Sequence, residues 1–536
     1  MPSPRVMLFG IDGASPQLLQ DLVSQGKLPT LSRLLHEGTL SELVSTIPVE
    51  SPTAWSSMMT GTNPGKHGVF SFSRRIEDSY VLKPVNLQDV STKSLFELLS
   101  EAGKKVIGVS IPLMYPPPSV NGILLSGLLS PMTKLSGYPE DIVAELNTKF
   151  GNPSLNIQAG LIFQSRKAFL DNCAEVTRNT LEISEHLLSK YPWDFFMVVF
   201  HSVDETQHFF WDDMEGHSKY RGSVFQAYDA IDKSLSRLLA FRDEETHVMV
   251  VSDHGHGPVS DYFCTNLFLE KHGYLHFKAT RFRTAKHLLY RLSGATGTRR
   301  IALALMNAVG SFTPASEEVS DDPILNGTDW TRTKAYSYSI GVNINLQGRE
   351  PKGIVPLSQY EAFRKELVSA LKKYTDKKNQ GILDLVATRD DVYDGPEVRN
   401  APDIVLESEN YMVYGLAGLG SANVYGSVLE RPPVISGTHR RNGVFMLSGP
   451  WVQPDQRIEK VSILDVAPTI MTILGVPVPD GLDGGVVTKA FLPSASIQER
   501  VRRSSASNLR SAEAFQWSKD DEEQIRKNLK ALGYIE

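Results

Sequence analysis

The stretch Phe195-Phe-Met-Val-Val-Phe-His-Ser-Val-Asp-Glu-Thr-Gln-His208 begins as an uninterrupted apolar run and ends in side chains that can bind metal. Six apolar residues in a row predict a strand buried on both faces of a parallel sheet. Asp204 and His208 follow this strand, which would deliver them to its carboxyl end. Open α/β sheets bind their ligands at that edge. The stretch therefore predicts an α/β fold with a site at the carboxyl edge of the sheet.

Two other apolar runs end in the same way. Arg5-Val-Met-Leu-Phe-Gly-Ile11 stops at Asp12-Gly13, and His247-Val-Met-Val-Val-Ser252 is followed by Asp253-His254. A late histidine, His439, stands in Gly437-Thr-His439. Together with Asp204 and His208, these residues are enough for two metal shells. Mixed imidazole and carboxylate ligands suit Zn²⁺, with Mn²⁺ or iron as alternatives, because affinity alone does not set the metal in a cell.

A candidate nucleophile lies in Thr46-Ile-Pro-Val-Glu-Ser-Pro-Thr-Ala-Trp-Ser-Ser-Met-Met-Thr-Gly61. This segment predicts a helix with Ser51 as N-cap, Pro52 at the first helical position and an end at Thr60-Gly61. The Ser51 hydroxyl would then lie at the positive end of the helix dipole, where an alkoxide or phosphoryl oxygen is favoured. Without the metal-competent residues, Ser51 would be interpreted as a helix cap only.

The ordered set of motifs resembles the alkaline phosphatase superfamily, close to its type I phosphodiesterase/nucleotide pyrophosphatase branch. The motifs are Gly10-Ile-Asp-Gly13, Ser51 through Gly61, Asn63-Pro-Gly-Lys-His-Gly68, Asp204-x-x-x-His208, Ser252-Asp-His-Gly255, Pro402-Asp-Ile-Val405, Gly437-Thr-His439 and Asp465-Val-Ala-Pro-Thr469. The ending Glu522 to Tyr534 resembles the tail of a microbial subgroup of predicted phosphohydrolases or phosphomutases. The resemblance implies a three-layer α/β sandwich with a mostly parallel central sheet, helices on both faces and inserted cap segments.

The same resemblance implies roles for single residues. It assigns one divalent ion to Asp204, His208 and His439. It assigns a second ion to Asp12, Asp253 and His254, with Ser51 completing the shell. Two Zn²⁺ ions are expected, with Mn²⁺ as the alternative. Ser51 would attack phosphorus and carry the phosphoseryl intermediate.

Four hydroxyl residues lie close together in this segment, namely Ser51, Thr53, Ser56 and Ser57. Counting back from Thr60-Gly61, Ser51 falls where the family has its nucleophile, and Thr53 is the alternative. In the phosphodiesterase branch an Asn three residues after the nucleophile holds a phosphate oxygen, whereas this chain has Ala54. The orientation of the substrate is therefore not transferable from the nucleotide pyrophosphatases.

Other polar residues have simpler interpretations. A single Asp or His at a strand end is usually a hydrogen-bonded loop residue, and only the joint occurrence of the six ligands favours metal binding. His67 and His256 are expected to have structural or supporting roles, and His201 to hydrogen-bond at its strand end. Thr53, Arg349 and Lys352 are candidates for substrate binding, although loop charges of this kind are more often only solvated.

Composition agrees with a globular enzyme. The chain has 536 residues, of which 41% are hydrophobic and 22% charged, and its net charge of −6 argues against binding to a nucleic-acid polymer. The two cysteines, Cys173 and Cys264, provide no disulfide framework. No signal peptide and no apolar stretch of membrane-spanning length is apparent, so we expect a cytoplasmic protein.

The resemblance covers a catalytic domain of residues 1–490, followed by a C-terminal strap and helix at 491–536. Residues 112–160 are rich in Pro, Gly and Ser and predict loops over the sheet edge, and 165–190 predict a helix. A second insertion spans 259–330, and its part 271–300 has eight Lys and Arg but no acidic residue. That part could cap the site for anionic esters, contact a lipid surface weakly, or form a solvated hairpin. The terminal helix, from about 519 to 532, could dock on the domain or mediate self-association.

The predicted function is a two-metal phosphohydrolase that cleaves small phosphodiester or nucleotide-type phosphoric esters. A phosphomutase or phosphomonoesterase of the same superfamily is the first alternative, although Glu50-Ser-Pro-Thr53 lacks the Asn-Ser-Glu loop of the related mutases. The sulfatase pattern Cys/Ser-x-Pro-x-Arg is absent around Ser51. A different class is a metal-dependent protein that binds phosphate esters without turnover.

Overall fold

The computed structural model describes residues 3–278, 327–339, 341–376, 378–414, 428–430, 434–511 and 515–534. The strands of these ranges are β1 (Arg5–Ile11), β2 (Gly38–Val44), β3 (Ser73–Arg75), β4 (Leu82–Pro84), β5 (Val106–Ile111), β6 (Gly122–Ser126), β7 (Gly137–Tyr138), β8 (Phe195–Phe200), β9 (Thr246–Val251), β10 (Gly255–Pro258), β11 (Asp261–Cys264), β12 (Ala335–Ser339), β13 (Gly341–Ile344), β14 (Leu385–Thr388), β15 (Ile404–Glu407), β16 (Tyr411–Tyr414), β17 (Leu429–Glu430), β18 (Gly437–Arg440), β19 (Asn442–Ser448), β20 (Gln456–Arg457), β21 (Val461–Ser462), β22 (Val478–Pro479) and β23 (Arg503–Ser504).

The α-helices of the same ranges are α1 (Pro16–Ser24), α2 (Pro29–His36), α3 (Ser51–Thr60), α4 (Pro64–His67), α5 (Leu95–Glu101), α6 (Glu140–Phe150), α7 (Arg166–Lys190), α8 (Ser202–Phe210), α9 (Ser223–Leu238), α10 (Thr265–Lys271), α11 (Tyr360–Lys372), α12 (Arg389–Val392), α13 (Val466–Ile473), α14 (Ile497–Arg500) and α15 (Lys519–Ala531). None of these helices is long and apolar enough to cross a membrane.

A ten-stranded sheet forms the centre of the protein, in the order β20-β2-β19-β9-β1-β8-β5-β6-β7, with β21 also pairing with β2. The pairs β9/β1, β1/β8, β8/β5 and β5/β6 are parallel, whereas β19 is antiparallel to both of its neighbours. A mostly parallel sheet with helices around it confirms the predicted fold class.

The three strands that lead to the predicted ligands are neighbours. β1 lies between β9 and β8, with Ile11 opposite Phe200 and Gly10 opposite Val251. All three strands run in the same direction, so their carboxyl ends meet at one edge. The observed bounds of β1 and β8 equal the predicted runs, and β9 begins and ends one residue earlier than predicted.

Both faces of the sheet are buried. Along β1, Val6 and Leu8 pack into one apolar cluster, whereas Met7, Phe9 and Ile11 pack into the other. This alternation is the two-residue period of a strand, and it explains why buried strands have continuous apolar runs. Helices α3, α5 and α13 cover the first face, and α1, α2, α7 and α9 cover the second.

The insertion predictions have mixed outcomes. The prediction of loops for 112–160 is wrong, because β6 pairs in parallel with β5 in the central sheet and Glu140–Phe150 forms a helix. The predicted helix at 165–190 is present as α7. Most of the basic segment 271–300 lies outside the described residues. The predictions of a substrate cap, a lipid contact or a solvated hairpin for this segment therefore also concern residues outside the described ones. The predicted C-terminal helix is present as α15, with its apolar side chains Ile525 and Leu529 buried.

The start of α2 depends on a carboxylate from another helix. The residue before α2 is Leu28, which cannot cap it, and the buried Asp232 of α9 accepts hydrogen bonds from Thr30 N at 3.1 Å and Leu31 N at 2.8 Å. Asp232→Ala leaves both donors buried without a partner, so we expect the free energy of unfolding to fall by about 1–3 kcal/mol in urea titrations. Asp229→Ala, on the exposed side of α9, serves as the control and should change it by about 0.5 kcal/mol or less. Equal losses in the two variants would contradict the capping role.

Candidate metal centre and nucleophile

The first cluster of metal-competent atoms comes from α8 and β18. His208 Nε2 lies 3.0 Å from His439 Nε2 and 3.3 Å from Asp204 Oδ2, and His439 Nε2 lies 3.6 Å from Asp204 Oδ1. Ligands of a tetrahedral Zn²⁺ lie about 2.0–2.2 Å from the ion, and therefore about 3.3–3.6 Å from one another. The spacing of the three side chains is thus close to that of a metal shell. The fourth member of this metal-competent group is His256.

The second cluster comes from the ends of β1 and β9. Asp12, Asp253 and His254 form a buried group whose ligand atoms are close enough to share one ion. His254 Nε2 lies 3.3 Å from Asp253 Oδ2, 3.7 Å from Asp12 Oδ1 and 3.2 Å from Ser51 Oγ. The rings of His254 and His439 are stacked at 3.8 Å, so the two clusters are adjacent. The structure therefore brings together all seven residues predicted to form the metal shells.

Backbone carbonyl groups fix the tautomers of the three predicted histidine ligands. His208 Nδ1 donates to Gly437 O at 3.0 Å, His439 Nδ1 to Val49 O at 2.8 Å and His254 Nδ1 to Gly255 O at 3.0 Å. A nitrogen that donates carries the proton, so each Nε2 lone pair faces its cluster. Metal-binding histidines are commonly oriented through such bonds from the other ring nitrogen.

Unsatisfied charge and lone pairs indicate that a cation belongs in these clusters. The Nε2 lone pairs of His208 and His439 face each other, and the buried oxygens Asp12 Oδ1 and Asp253 Oδ2 have no hydrogen-bond partner. Burial and the charges of Asp12 and Asp204 raise the pKa of Asp253 well above its usual value. Buried carboxylates of this kind are stable as anions only beside compensating cations. The donor set therefore fits the divalent ions that the resemblance implies.

Burial favours the neutral, metal-binding form of two of the imidazoles. Burial, with the neighbouring imidazole of His254, lowers the pKa of His439 well below its usual value. Burial likewise lowers the pKa of His256 to about 3. Burial alone would lower the pKa of His208, but the charge of Asp204 raises it. Burial alone would raise the pKa of Asp204, but the imidazoles of His208, His256 and His439 hold it well below its usual range. Metal binding requires neutral imidazoles and charged carboxylates, so an ion bound here would compete with protonation of His208.

Gly13 lets the two clusters approach each other. Its φ of +66° lies in the left-handed region, and a Cβ at this position would lie 2.3 Å from Asp204 Oδ1. Gly13 N also donates to Asp253 Oδ1 at 3.2 Å. The Asp12-Gly13 motif thus supplies a ligand from one residue and room for another ligand at the next.

Ser51 lies at the start of α3, as expected, but one position later than predicted. Glu50 is the N-cap, Ser51 is the first helical residue and Pro52 the second, and the helix ends at Thr60 with Gly61 in the left-handed conformation. The N–H groups of the first helical turn have no carbonyl acceptor within the helix. Proline, which has no N–H, is therefore tolerated at the positions of this turn. The Ser51 hydroxyl still lies at the positive end of the helix, beside His254. A small pocket is lined by Ser51 together with Asp12, Asp204 and Glu205.

The other histidines hydrogen-bond around these clusters. His201 Nδ1 lies 2.7 Å from Asp12 Oδ2, and His256 Nδ1 lies 3.1 Å from Asp204 Oδ1. Both thus orient a carboxylate of a metal-competent cluster. His67 lies outside both clusters, where it accepts from Val69 N at 3.1 Å and bonds Ser57 Oγ at 2.7 Å.

The three candidates for substrate binding are placed differently. Thr53 is buried on α3, and its Oγ1 has no hydrogen-bond partner. Arg349 is instead held by Asp403, whose two oxygens accept from its guanidinium at 2.7 and 2.6 Å, and by Glu350 at 2.9 Å. Asp403 of the Pro402-Asp-Ile-Val405 motif directly precedes β15 of the smaller sheet β12-β13-β15-β14 and is not part of the metal clusters. The main chain of Lys352 is bound to Tyr80, and the structure shows no contact of Lys352 with either cluster.

Sequence reasoning missed two residues of the site. Tyr534, near the C-terminus, places its hydroxyl 2.9 Å from His439 Nε2 and 3.2 Å from His208 Nε2. Glu205, next to Asp204, is buried with an unpartnered Oε2, and burial raises the pKa of its carboxyl well above the usual value. Glu205 stands next to Asp204 and Tyr534 ends the stretch Glu522 to Tyr534, but nothing in either pattern indicates that these side chains reach the clusters.

Comparisons with known proteins agree with this architecture. The family model of type I phosphodiesterase/nucleotide pyrophosphatase matches residues 6–419. No curated protein matches the chain in sequence. Among solved structures, human ectonucleotide pyrophosphatase/phosphodiesterase 5 is similar with a TM-score of 0.50 and 12% identity, covering 91% of this chain and 98% of its own.

Two further structures share the fold. Phosphonoacetate hydrolase from Sinorhizobium meliloti, in complex with phosphonoformate, has a TM-score of 0.51 and 14% identity, covering 88% of this chain and 97% of its own. A variant of the alkaline phosphatase PafA has a TM-score of 0.54 and 14% identity, covering 92% of this chain and all of its own. At these identities the likeness shows a common alkaline phosphatase-like fold.

His67 makes the helix that carries Ser51 sensitive to acid. Burial lowers the pKa of His67 to about 3 from an ordinary value of 6.5. As the pH falls below 6.5, the unfolded chain takes up a proton at this position and the folded chain does not, so stability is lost by about 1.4 kcal/mol per pH unit. We expect His67→Gln to lose roughly 2 kcal/mol less than the parent protein between pH 6 and pH 4 in urea titrations.

The matched control for this prediction is His36→Gln, since the His36 side chain is 76% exposed. The other buried histidines change the free energy of unfolding with pH equally in both proteins, so their contributions cancel when the two are compared. An identical loss of stability in parent and His67→Gln would contradict the assignment of a neutral, buried His67.

Proposed function

The chain belongs to the type I phosphodiesterase/nucleotide pyrophosphatase family, and from this premise we propose that it hydrolyses phosphodiesters or nucleotide-type phosphoric esters through a phosphoseryl intermediate, with two divalent metal ions. The observation that carries the proposal is the pair of adjacent three-residue clusters, one of which has the Ser51 hydroxyl within 3.2 Å of its histidine. Family membership alone gives the coarser statement, a phosphoester hydrolase.

The proposed shells follow the two clusters. Asp12, Asp253 and His254 would hold one ion beside Ser51, and Asp204, His208 and His439 would hold the other. Zn²⁺ is the first candidate, because three nitrogen or oxygen ligands with a position left for substrate are typical of catalytic zinc, and Mn²⁺ is the alternative. When bound, such a pair of ions lowers the pKa of a hydroxyl nucleophile and stabilises charge on the entering and leaving oxygens.

The residues of this chain would perform two displacements at phosphorus. Ser51 Oγ forms a bond to phosphorus while the ester oxygen departs with its electron pair, and water then cleaves the phosphoserine and restores the hydroxyl. The first turn of α3 supplies N–H donors of Ser51 and Thr53, since Pro52 has none, at the end of the helix that favours an anion. The family's Asn, which holds a phosphate oxygen, is replaced here by Ala54. The two N–H groups of α3 would hold phosphoryl oxygens instead.

A neighbouring cleft supports a diester substrate. It extends from Val49, His208 and His439 to Tyr338 and Tyr411. A diester has a second organic group, and this cleft beside the first cluster would hold it. The cleft also contains Glu50, Glu407 and Glu409 together with Arg440 and Arg441, so its lining carries groups of both signs.

Two alternatives make different predictions. A phosphomonoesterase or phosphomutase of the same superfamily would use the same Ser51, with transfer to water or back to another hydroxyl of the substrate. A binding protein without turnover would keep the metal clusters and release no product. The intact Ser51 and both complete clusters support an enzyme over the binding protein.

The nucleophile is tested by comparing hydrolysis of bis-p-nitrophenyl phosphate and p-nitrophenyl phosphate after metal removal and reconstitution with Zn²⁺ or Mn²⁺. We expect a preference for the diester, loss of activity on chelation, and recovery when the metal is returned. Ser51→Ala should lower kcat by on the order of 10³-fold or more, because it removes the attacking atom. Ser56→Ala, which removes a hydroxyl further along α3, is the matched control and should keep kcat within a few fold.

The other outcomes select the alternatives. Activity that survives in Ser51→Ala but is lost in Thr53→Val would transfer the nucleophile to Thr53. Monoester preference would favour the phosphatase or mutase, and binding of both esters without release of p-nitrophenol would favour the binding protein.

A further inference from the structure

The C-terminal segment delivers one side chain into the first metal-competent cluster. Helix α15 is capped by Ser518, whose hydroxyl accepts from Asp521 N at 3.1 Å, and it buries Ile525 and Leu529. Gly533, with φ of +80°, then turns the chain, and Tyr534 N donates back to Leu529 O at 2.9 Å. This helix ending directs Tyr534 toward His208 and His439.

Several contacts hold the segment in this position. Ala159 N donates to Asn528 Oδ1 at 2.8 Å, and Trp517 Nε1 donates to Pro84 O at 3.2 Å. The ring of Trp517 is stacked on Tyr115 at 5.1 Å, and that of Tyr534 on Phe72 at 3.9 Å. The ending of α15 and the stacking on Phe72 together hold the Tyr534 ring in place.

The Tyr534 hydroxyl lies among the metal-competent atoms of the first cluster. Its oxygen lies 2.9 Å from His439 Nε2 and 3.2 Å from His208 Nε2, and the Nδ1 atoms of both rings donate to backbone carbonyls, so in the neutral imidazoles that bind metal both Nε2 atoms present lone pairs. One phenol proton can satisfy only one of these nitrogens. A cation among the three atoms would satisfy all of them at once.

We propose that Tyr534 Oη is the fourth ligand of the metal ion held by Asp204, His208 and His439 in the substrate-free protein. Tyr534 Oη lies 2.9 and 3.2 Å from the two Nε2 atoms, which lie 3.0 Å from each other and 3.3 and 3.6 Å from the Asp204 oxygens. These distances are close to the separation of about 3.3–3.6 Å between ligands of one tetrahedral ion. The inference rests on the proposed function, which supplies the ion.

With Tyr534 as a ligand, each of the two clusters has a hydroxyl oxygen among its ligands. Ser51 brings a hydroxyl oxygen to His254 at 3.2 Å, and Tyr534 brings one to His208 at the same distance. Each set of three side chains then has one oxygen from a residue outside the set. Tyr534 also lines both the cleft beside the first cluster and the pocket that contains Ser51. The C-terminal segment therefore controls access to this ion, and a substrate must displace the phenol oxygen or bind beside it.

The test is Tyr534→Phe in the full-length chain, since phenylalanine keeps the ring stacked on Phe72 and removes only the ligand atom. Calorimetric titration of metal-free protein with Zn²⁺ gives the number and affinity of bound ions, and the visible absorption of the Co²⁺-substituted protein reports the coordination of each ion. Tyr411→Phe, which removes a hydroxyl from the same cleft away from the clusters, is the matched control. Thermal midpoints of the metal-free proteins establish that all variants fold.

We expect the parent protein and Tyr411→Phe to bind two ions with the same affinities. In Tyr534→Phe the affinity for one of the two ions should fall by about 10–100-fold or more, since even a group that only supports a ligand contributes that much. The Co²⁺ spectrum should change in this variant alone. Unchanged affinities and an unchanged Co²⁺ spectrum in Tyr534→Phe would overturn the assignment while leaving the proposed function intact. A parent protein that binds no ion would overturn both.

Discussion

Three buried carboxylates at one edge of the sheet are the constraint on which the rest of the structure depends. Asp12, Asp204 and Asp253 are 2%, 7% and 0% exposed, and they follow three neighbouring parallel strands. Removing one uncompensated carboxylate from water costs several kcal/mol, so three of them require cationic partners. Burial lowers the pKa of His256 and His439, and backbone carbonyl groups hold the Nδ1 protons of His208, His254 and His439 away from the clusters. The arrangement is consistent with a site built for divalent ions.

The parts of the chain that meet at this edge are distant in sequence. Asp12 comes from the first strand, Asp204 and His208 from α8, His439 from β18, and Tyr534 from the segment after α15. The hydroxyl groups of Ser51 and Tyr534 are presented by the beginning of one helix and the ending of another. The residues of the two clusters and their hydrogen-bond partners thus come from both ends and from the middle of the chain.

The sequence predicts best those elements whose physical signal is local. Continuous apolar runs, preceded in β1 by Arg5, define β1 and β8 to the residue, and the helical period of 165–190 defines α7. The start of α3 is displaced by one residue because proline is acceptable at the first or second helical position. The strand β6 is missed because Gly122-Ile-Leu-Leu-Ser126 is short and lies within a Pro- and Gly-rich region. Its pairing with β5 is a tertiary interaction, which the amino-acid composition of the segment does not indicate.

The ordered motifs predicted which ligand residues of the site come together. The positions of Arg349 and Tyr534 depend on long-range contacts that the motifs do not specify. Arg349 is committed to Asp403, a carboxylate of the motif at 402–405, and nothing in the sequence around Arg349 distinguishes such a pair from a phosphate contact. Tyr534 could not be found by pattern, since a tyrosine after a C-terminal helix ending has no metal signature. Its position follows only from the docking of α15 on the domain.

The most direct test of the account is anomalous X-ray diffraction at the zinc absorption edge from crystals of the Zn²⁺-reconstituted protein. The account predicts two peaks about 4 Å apart, one bounded by Asp12, Asp253 and His254 and the other by Asp204, His208 and His439. A fully active protein whose crystals show no metal peak at either cluster would contradict it.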